Sequence, residues 1–311
     1  MSKILNTSIE AQISSVLKQC FPYLLIFFVG ITWGITFSLS RMATQFGASP
    51  TGLTFCQAFG GGLLLLLVCL CRGKFPVFNL QFFKHYLVIA LVGTAIPSTI
   101  YFYAASHVPA GILAITIALV PMLTYLVTWA MGIDSFQVRR VAGILLGFSA
   151  ILLLSIPESS LPEPGMVKWV MFSLVAAAFY AIEGIYLEVK IPTSTDLIAL
   201  LCASLLTTAI LILPVVYIQD AFFPISFPFR QFEWVLVSLA LVSSLAYVVF
   251  LYTVKIAGAV FATMAGYIIT ISGVFWGILF FQEVHSNWVW ASLILMMGGM
   301  ALVTPREQTN E

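Results

Sequence analysis

Glu183 is the residue best placed for chemistry. It sits in the run Ala178-Phe-Tyr-Ala-Ile-Glu183-Gly-Ile-Tyr-Leu187, with Tyr180 three positions before it. An ionisable group inside so apolar a run is costly, and it usually faces a cavity or a partner. Two chemistries suit it. A carboxylate can bind the amine of a ligand, and a buried carboxyl can carry a proton. The structural alternative is an acid one turn from the helix end, reaching the membrane surface beside Glu188 and Lys190.

Other polar and aromatic residues could join it. Trp33 lies deep in its own apolar run, away from the interfacial zone where Trp collects. Thr32, Thr36 and Ser40 recur every four residues and share a helix face. Thr94, Ser98 and Tyr101 follow helical spacing further on, as do Ser243, Tyr247 and Phe250. An apolar wall with a few orienting polar groups suits a small organic ligand. The alternative for each hydroxyl and ring is helix packing. Tyr267 lies beside a stripe of Thr263, Gly266, Thr270, Gly273 and Gly277, which reads as close helix–helix approach. The expected substrate-contacting set is Trp33, Thr36, Ser98, Tyr101, Tyr180, Glu183, Tyr247 and Tyr267, with Glu183 as proton-coupling candidate.

These residues must be held by membrane-embedded helices. The chain has 311 residues, 61% hydrophobic and 8% charged, against about a quarter charged in ordinary soluble domains. About ten apolar runs are long enough to cross a bilayer. Their cores are near residues 21–40, 51–71, 86–105, 110–131, 138–156, 167–187, 197–218, 234–254, 259–281 and 288–303. Backbone groups in lipid must be satisfied within the segment, so helices are expected. The connecting loops are too short for a catalytic domain. Residues 1–19 are polar and lead directly into a full-length span, so the first span is expected to be a retained anchor.

Ten of the thirteen Lys and Arg fall on one side if the N-terminus is inside; Arg41, Lys168 and Arg230 fall on the other. The positive-inside bias therefore puts both termini in the cytoplasm. At an offset of 149 the chain partly repeats: Tyr101-Phe102-Tyr103 falls on Phe250-Leu251-Tyr252, Pro121 on Thr270, and Asp134 on Glu283. Five spans per half is an odd number, so the halves have inverted topology. That arrangement suggests a secondary transporter with its site between the halves. The fold class expected is an all-α membrane protein: ten transmembrane helices in two inverted five-helix repeats. The divisions are a cytoplasmic segment 1–20, a repeat 21–156, an external linker 157–166, a repeat 167–304 and a tail 305–311.

The chain resembles the drug/metabolite transporter superfamily, and within it the EamA-type ten-span exporters. The resemblance rests on Trp33-Gly34, Tyr101-Phe102-Tyr103-Ala104, Pro121 followed by Asp134, and Glu283 in the second half. It departs where Thr270 replaces a second proline and where Ile133-Asp134 stands for Gly-Glu. It implies a central cavity formed by spans one, three, four, six, eight and nine, and export of amino acids or related metabolites across a bacterial inner membrane. Uptake or exchange of a nucleotide-related metabolite or vitamin is the alternative. Pro121 is expected to kink its helix. Asp134 and Glu283 are expected to be structural, each facing the positive end of the helix that follows it.

Other classes fit less well. Gly60-Gly61-Gly62 lacks the Gly-Lys-Ser/Thr continuation of a phosphate loop. The five cysteines and three histidines have no metal spacing, so no metal or cofactor is expected. Every His lies at a loop edge, which disfavours an intramembrane hydrolase. A net charge of +1 suggests no nucleic-acid partner. A channel or membrane scaffold is the remaining class. The expected partners are a small-molecule substrate and the lipid bilayer, with the protein a monomer or homodimer.

Overall fold

Ten apolar helices account for nearly all the described residues in the computed structural model. The structure describes residues 2–156, 160–192, 194–257, 261–262 and 264–303, with side chains from residue 20 onward except at Pro164. Thr263 of the expected small-residue stripe, Ala259 at the expected start of the ninth span, the side chains of Lys3 and Lys18, and the tail 305–311 lie outside it.

Helix α1 runs Ser2–Gln45, with Cys20–Gln45 apolar enough to cross a membrane. Then follow α2 Pro50–Arg72, α3 Leu80–Ala105, α4 Ala110–Ala130 and α5 Val138–Ser155. The second half comprises α6 Val167–Lys190, α7 Leu197–Ile218, α8 Gln231–Ala257, α9 Ala265–Phe281 and α10 Asn287–Val303. The last two have 17 residues each, the lower edge of what a bilayer needs. No strand occurs among the described residues.

Among the described residues two helices are interrupted, each beside a proline, whereas Pro22 of α1 and Pro214 of α7 sit in continuous helix. In α3 the turns at Ile89–Ala95 are π-helical, followed by α-helix from Ile96 with Pro97 in its first turn. In α4 the α-helix stops at Ile117 and resumes at Val120, just before Pro121. Ala118 and Leu119 donate across the gap to the carbonyls of Ile115 and Thr116. Proline lacks the N–H that a continuous helix requires, so the ladder must be rebuilt around it.

The packing follows the exchange of each helix with the one five positions later. Helix α1 packs on α8 and α9, and α6 correspondingly on α3 and α4. The pairs α2–α7 and α5–α10 each join a helix to its own counterpart. The two halves are inverted five-helix repeats. Glycines set the closest approaches. A Cβ on Gly34 would press on Ser272 and the Gly273 amide of α9. A Cβ on Gly273 would press on Phe37 and Ala114. The main core lies between α4 and its neighbours, with Ile112, Leu113, Ile115, Leu119 and Met122 fully buried.

Glu283 joins three helices at one end of the bundle. It accepts from the backbone N–H of Ala110 at 2.7 Å and of Gly111 at 3.1 Å, the first residues of α4. It also pairs with Arg41 near the end of α1, whose guanidinium lies 4.9 Å from the centre of the Phe281 ring. His285 Nε2 stands 3.4 Å away, in ion-pair range but without hydrogen-bond alignment. Burial alone would raise the Glu283 pKa, but His285, the two amides and Arg41 together hold it below the usual carboxylate range. The helix it serves is therefore α4 in the other half, and not the following α10 as its position in the chain suggests. Asp134 also departs from that expectation. It accepts from the adjacent Ser135 N–H and pairs with Arg140 at 2.5 Å, while Gln137 stands at the N-cap of α5.

Replacing Gly34 by Val should separate α1 from α9 and cost about 1–3 kcal/mol of stability, the usual range for overpacking. Gly298, with open space at its Cβ position, should accept Ala with little change. Thermal unfolding of the two variants in detergent checks the contrast.

Candidate functional site

Glu183 lies between the halves and is buried, with 7% of its surface exposed. It does not reach the surface beside Glu188 and Lys190. Tyr247 of α8 donates its hydroxyl to Glu183 Oε1 at 2.5 Å. Gly93, inside the π-helical turns of α3, lies against the same carboxylate, and any Cβ there would collide with it. The packing thus places the acid of α6 in a notch formed by a glycine on α3 and a tyrosine on α8. Among the described residues its hydrogen-bond partner is a neutral hydroxyl, and the ion pairs all lie elsewhere.

Aromatic rings surround this notch. Trp33 of α1 lies 5.8 Å from the Tyr247 ring and 5.2 Å from that of Phe250, centroid to centroid. Tyr180, one turn before Glu183 on α6, sits 6.3 Å from the Tyr101 ring, and its hydroxyl is 3.4 Å from Ser98 Oγ. Residues from α1, α3, α6 and α8 therefore converge: Trp33, Ser98, Tyr180, Glu183 and Tyr247. Such spacings are typical of aromatic pairs.

The remaining candidates are engaged differently. Thr36 donates to the Trp33 carbonyl at 2.6 Å. Thr32 and Ser40 likewise bond back to their own helix, a common habit of hydroxyls in apolar helices. The Tyr101 hydroxyl is spent on the Leu113 carbonyl at 2.7 Å and on Thr116 at 3.0 Å, so it ties α3 to the first part of α4. Tyr267 packs on the main core cluster. Thr270 is fully buried and bonds the Gly266 carbonyl at 2.8 Å.

Sequence reasoning passed over two features of this region. Gln57 is the one amide side chain in α2, and it donates to Ser243 Oγ at 2.7 Å, one turn from Tyr247. Its Oε1 is buried without a partner in the structure. The isolation of that polar residue in an apolar span was the available signal. Gly93 was the other, since the proline four residues later disturbs the turn that carries it.

The model of the EamA-like transporter family matches residues 21–156 and again 167–304. This chain belongs to that family. Members of the EamA-like family are membrane transporters of small solutes, and the ten-helix bundle makes this one a multi-pass membrane protein. It is similar to an uncharacterized transporter, YvbV, of Bacillus subtilis strain 168, at 23% identity over 93% of each chain. It is also similar to an uncharacterized inner membrane transporter, YedA, of Escherichia coli strain K12, at 25% identity over 57% of this chain and 58% of that one. A solved crystal structure has the same fold, with a TM-score of 0.62 at 19% identity, covering 91% of this chain and 96% of the other.

The notch around Glu183 depends on there being no side chain at position 93. Gly93→Ala should displace the carboxylate and cost about 1–3 kcal/mol. Gly184→Ala, beside Glu183 but facing open space, should be neutral or slightly stabilising, since Ala favours helix over Gly. Parallel melting curves in detergent check the pair.

Proposed function

We propose that this chain moves a small neutral or zwitterionic organic solute, an amino acid or related metabolite, out across a bacterial inner membrane by alternating access. The observation that carries this reading is the buried Glu183 with a hydroxyl, and no cation, beside it. A charge at that depth is expensive without a partner. Glu183 therefore holds either a proton or the ammonium of a substrate, and exchange between the two couples solute movement to a proton gradient. Trp33, Tyr180 and Tyr247 supply the apolar and aromatic wall, and Ser98 an orienting hydroxyl. Thr36, Tyr101 and Tyr267 belong to the supporting layer of the same site.

Charge distribution supports both the substrate class and the orientation. The basic residues of the described chain lie at helix ends and loops, as Arg41, Lys168 and Lys255 do, and the buried Arg140 is paired with Asp134, which argues against a phosphorylated solute. The Lys and Arg bias supports an orientation with both termini in the cytoplasm. Similarity to an inner membrane transporter of Escherichia coli supports the compartment.

The test uses purified protein in liposomes loaded with labelled amino acids, nucleosides or vitamins, with and without an inward proton gradient. Saturable loss of amino acids, faster with the gradient, is expected. Glu183→Gln should slow it by about tenfold or more, the scale of one lost charged contact. Normal gradient-dependent transport in that variant would remove the role given to Glu183, and selective loss of nucleosides or vitamins would replace the substrate class.

A further inference from the structure

The two ends of the bundle carry related charges in different states. At one end Glu283 is buried, with its side chain 5% exposed, and it joins Arg41 of α1 to the first amides of α4. Each member of this ion pair has a counterpart 149 positions away in the other half: Glu283 corresponds to Asp134, and Arg41 to Lys190. Both substitutions preserve the sign of the charge. Inverted topology puts the counterparts at the opposite end, where Asp134 follows α4 and Lys190 closes α6. There the pair is unmade. Asp134 is 34% exposed and bound to Arg140 of its own half, and Lys190 is exposed.

An inverted-repeat transporter has two conformations that exchange the roles of its halves. Contacts that close one end in the first conformation have equivalents that close the other end in the second. We propose that Asp134 and Lys190 form the counterpart of the Glu283–Arg41 pair when the protein opens at the Glu283 end, so that the two ion pairs make and break in alternation. The structure is then the state closed at the Glu283 end. Arg140 is the asymmetric element, because its own counterpart is the apolar Val289. It holds Asp134 while the Lys190 pair is open, and it competes with Lys190 for the same carboxylate. A charge pair suits this work at the Asp134 end, where both partners meet solvent and such a pair is worth little and breaks readily.

The proposal is tested on the full chain in liposomes, without substrate, so it stands or falls apart from the role of Glu183. Exposed Met131 and Val189 flank the Asp134 end. Spin labels at Met131→Cys and Val189→Cys, with Cys20, Cys56 and Cys71 replaced by Ser, report its width by electron-electron resonance. Breaking the formed pair by Arg41→Gln should increase the short-distance population about threefold or more. Glu283→Gln should act in the same direction; Arg41→Gln is the milder variant because Glu283 keeps its amide partners. Adding Asp134→Asn or Lys190→Gln should abolish the gain, and the swap Asp134→Lys with Lys190→Asp should restore it. A short-distance population that ignores Arg41→Gln, or that survives Asp134→Asn, would overturn the proposal.

Discussion

A bilayer core offers no water to an unpaired backbone group, and this constraint governs the rest of the molecule. Regular helices meet it without help. Among the described residues the two interrupted ladders, the π-helical turns of α3 and the break in α4, have most of their residues buried, Leu91 excepted, so other protein groups can compensate. The Ala90 carbonyl in the π-helical turns takes a bond from Thr208 of α7. The Leu113 carbonyl, one turn before the break, receives Tyr101. Each irregularity is thus covered by a neighbouring helix, and one of them carries the glycine that makes room for Glu183. The site is a place where backbone regularity has been given up under protein cover.

The same medium explains how much was legible in the residues. Apolar runs must be long enough to cross, so the number of helices and nearly all their positions followed from composition. The inverted repeat followed from an odd number of spans per half and a few matches at fixed offset. Convergence of Trp33, Tyr247 and Glu183 was less accessible. Helical spacing places a residue on a face, but it does not say which of nine other helices that face meets. Thr36 and Tyr101 show the limit: a hydroxyl on the expected face can turn back to its own helix or spend itself on a carbonyl. Glu283 shows it at longer range. An acid before a helix suggests a local cap, whereas this one serves a helix about 170 residues away in the chain, and only the tertiary fold brings the two together.

The two buried acids show how partners decide what a carboxylate does. Glu283 is surrounded by amides and a guanidinium, which hold it in its charged form. Among the described residues Glu183 has one phenolic hydroxyl as its hydrogen-bond partner. Equal chemistry in the side chain thus yields a charged tie between helices in one setting and a carboxyl with a single hydroxyl partner in the other, according to how many donors the neighbouring helices bring.

The helix pair α5–α10 has a further consequence. At its closest approach Gly143 meets Gly299. The positions that correspond to them in the opposite halves are Ser292 and Ala150, both fully buried. All four are small. A seam that maps onto itself in this way is what two identical five-helix chains would form about a two-fold axis. On that geometry each half offers the other the same small-residue surface, so the joint has no room for a bulky side chain on either side.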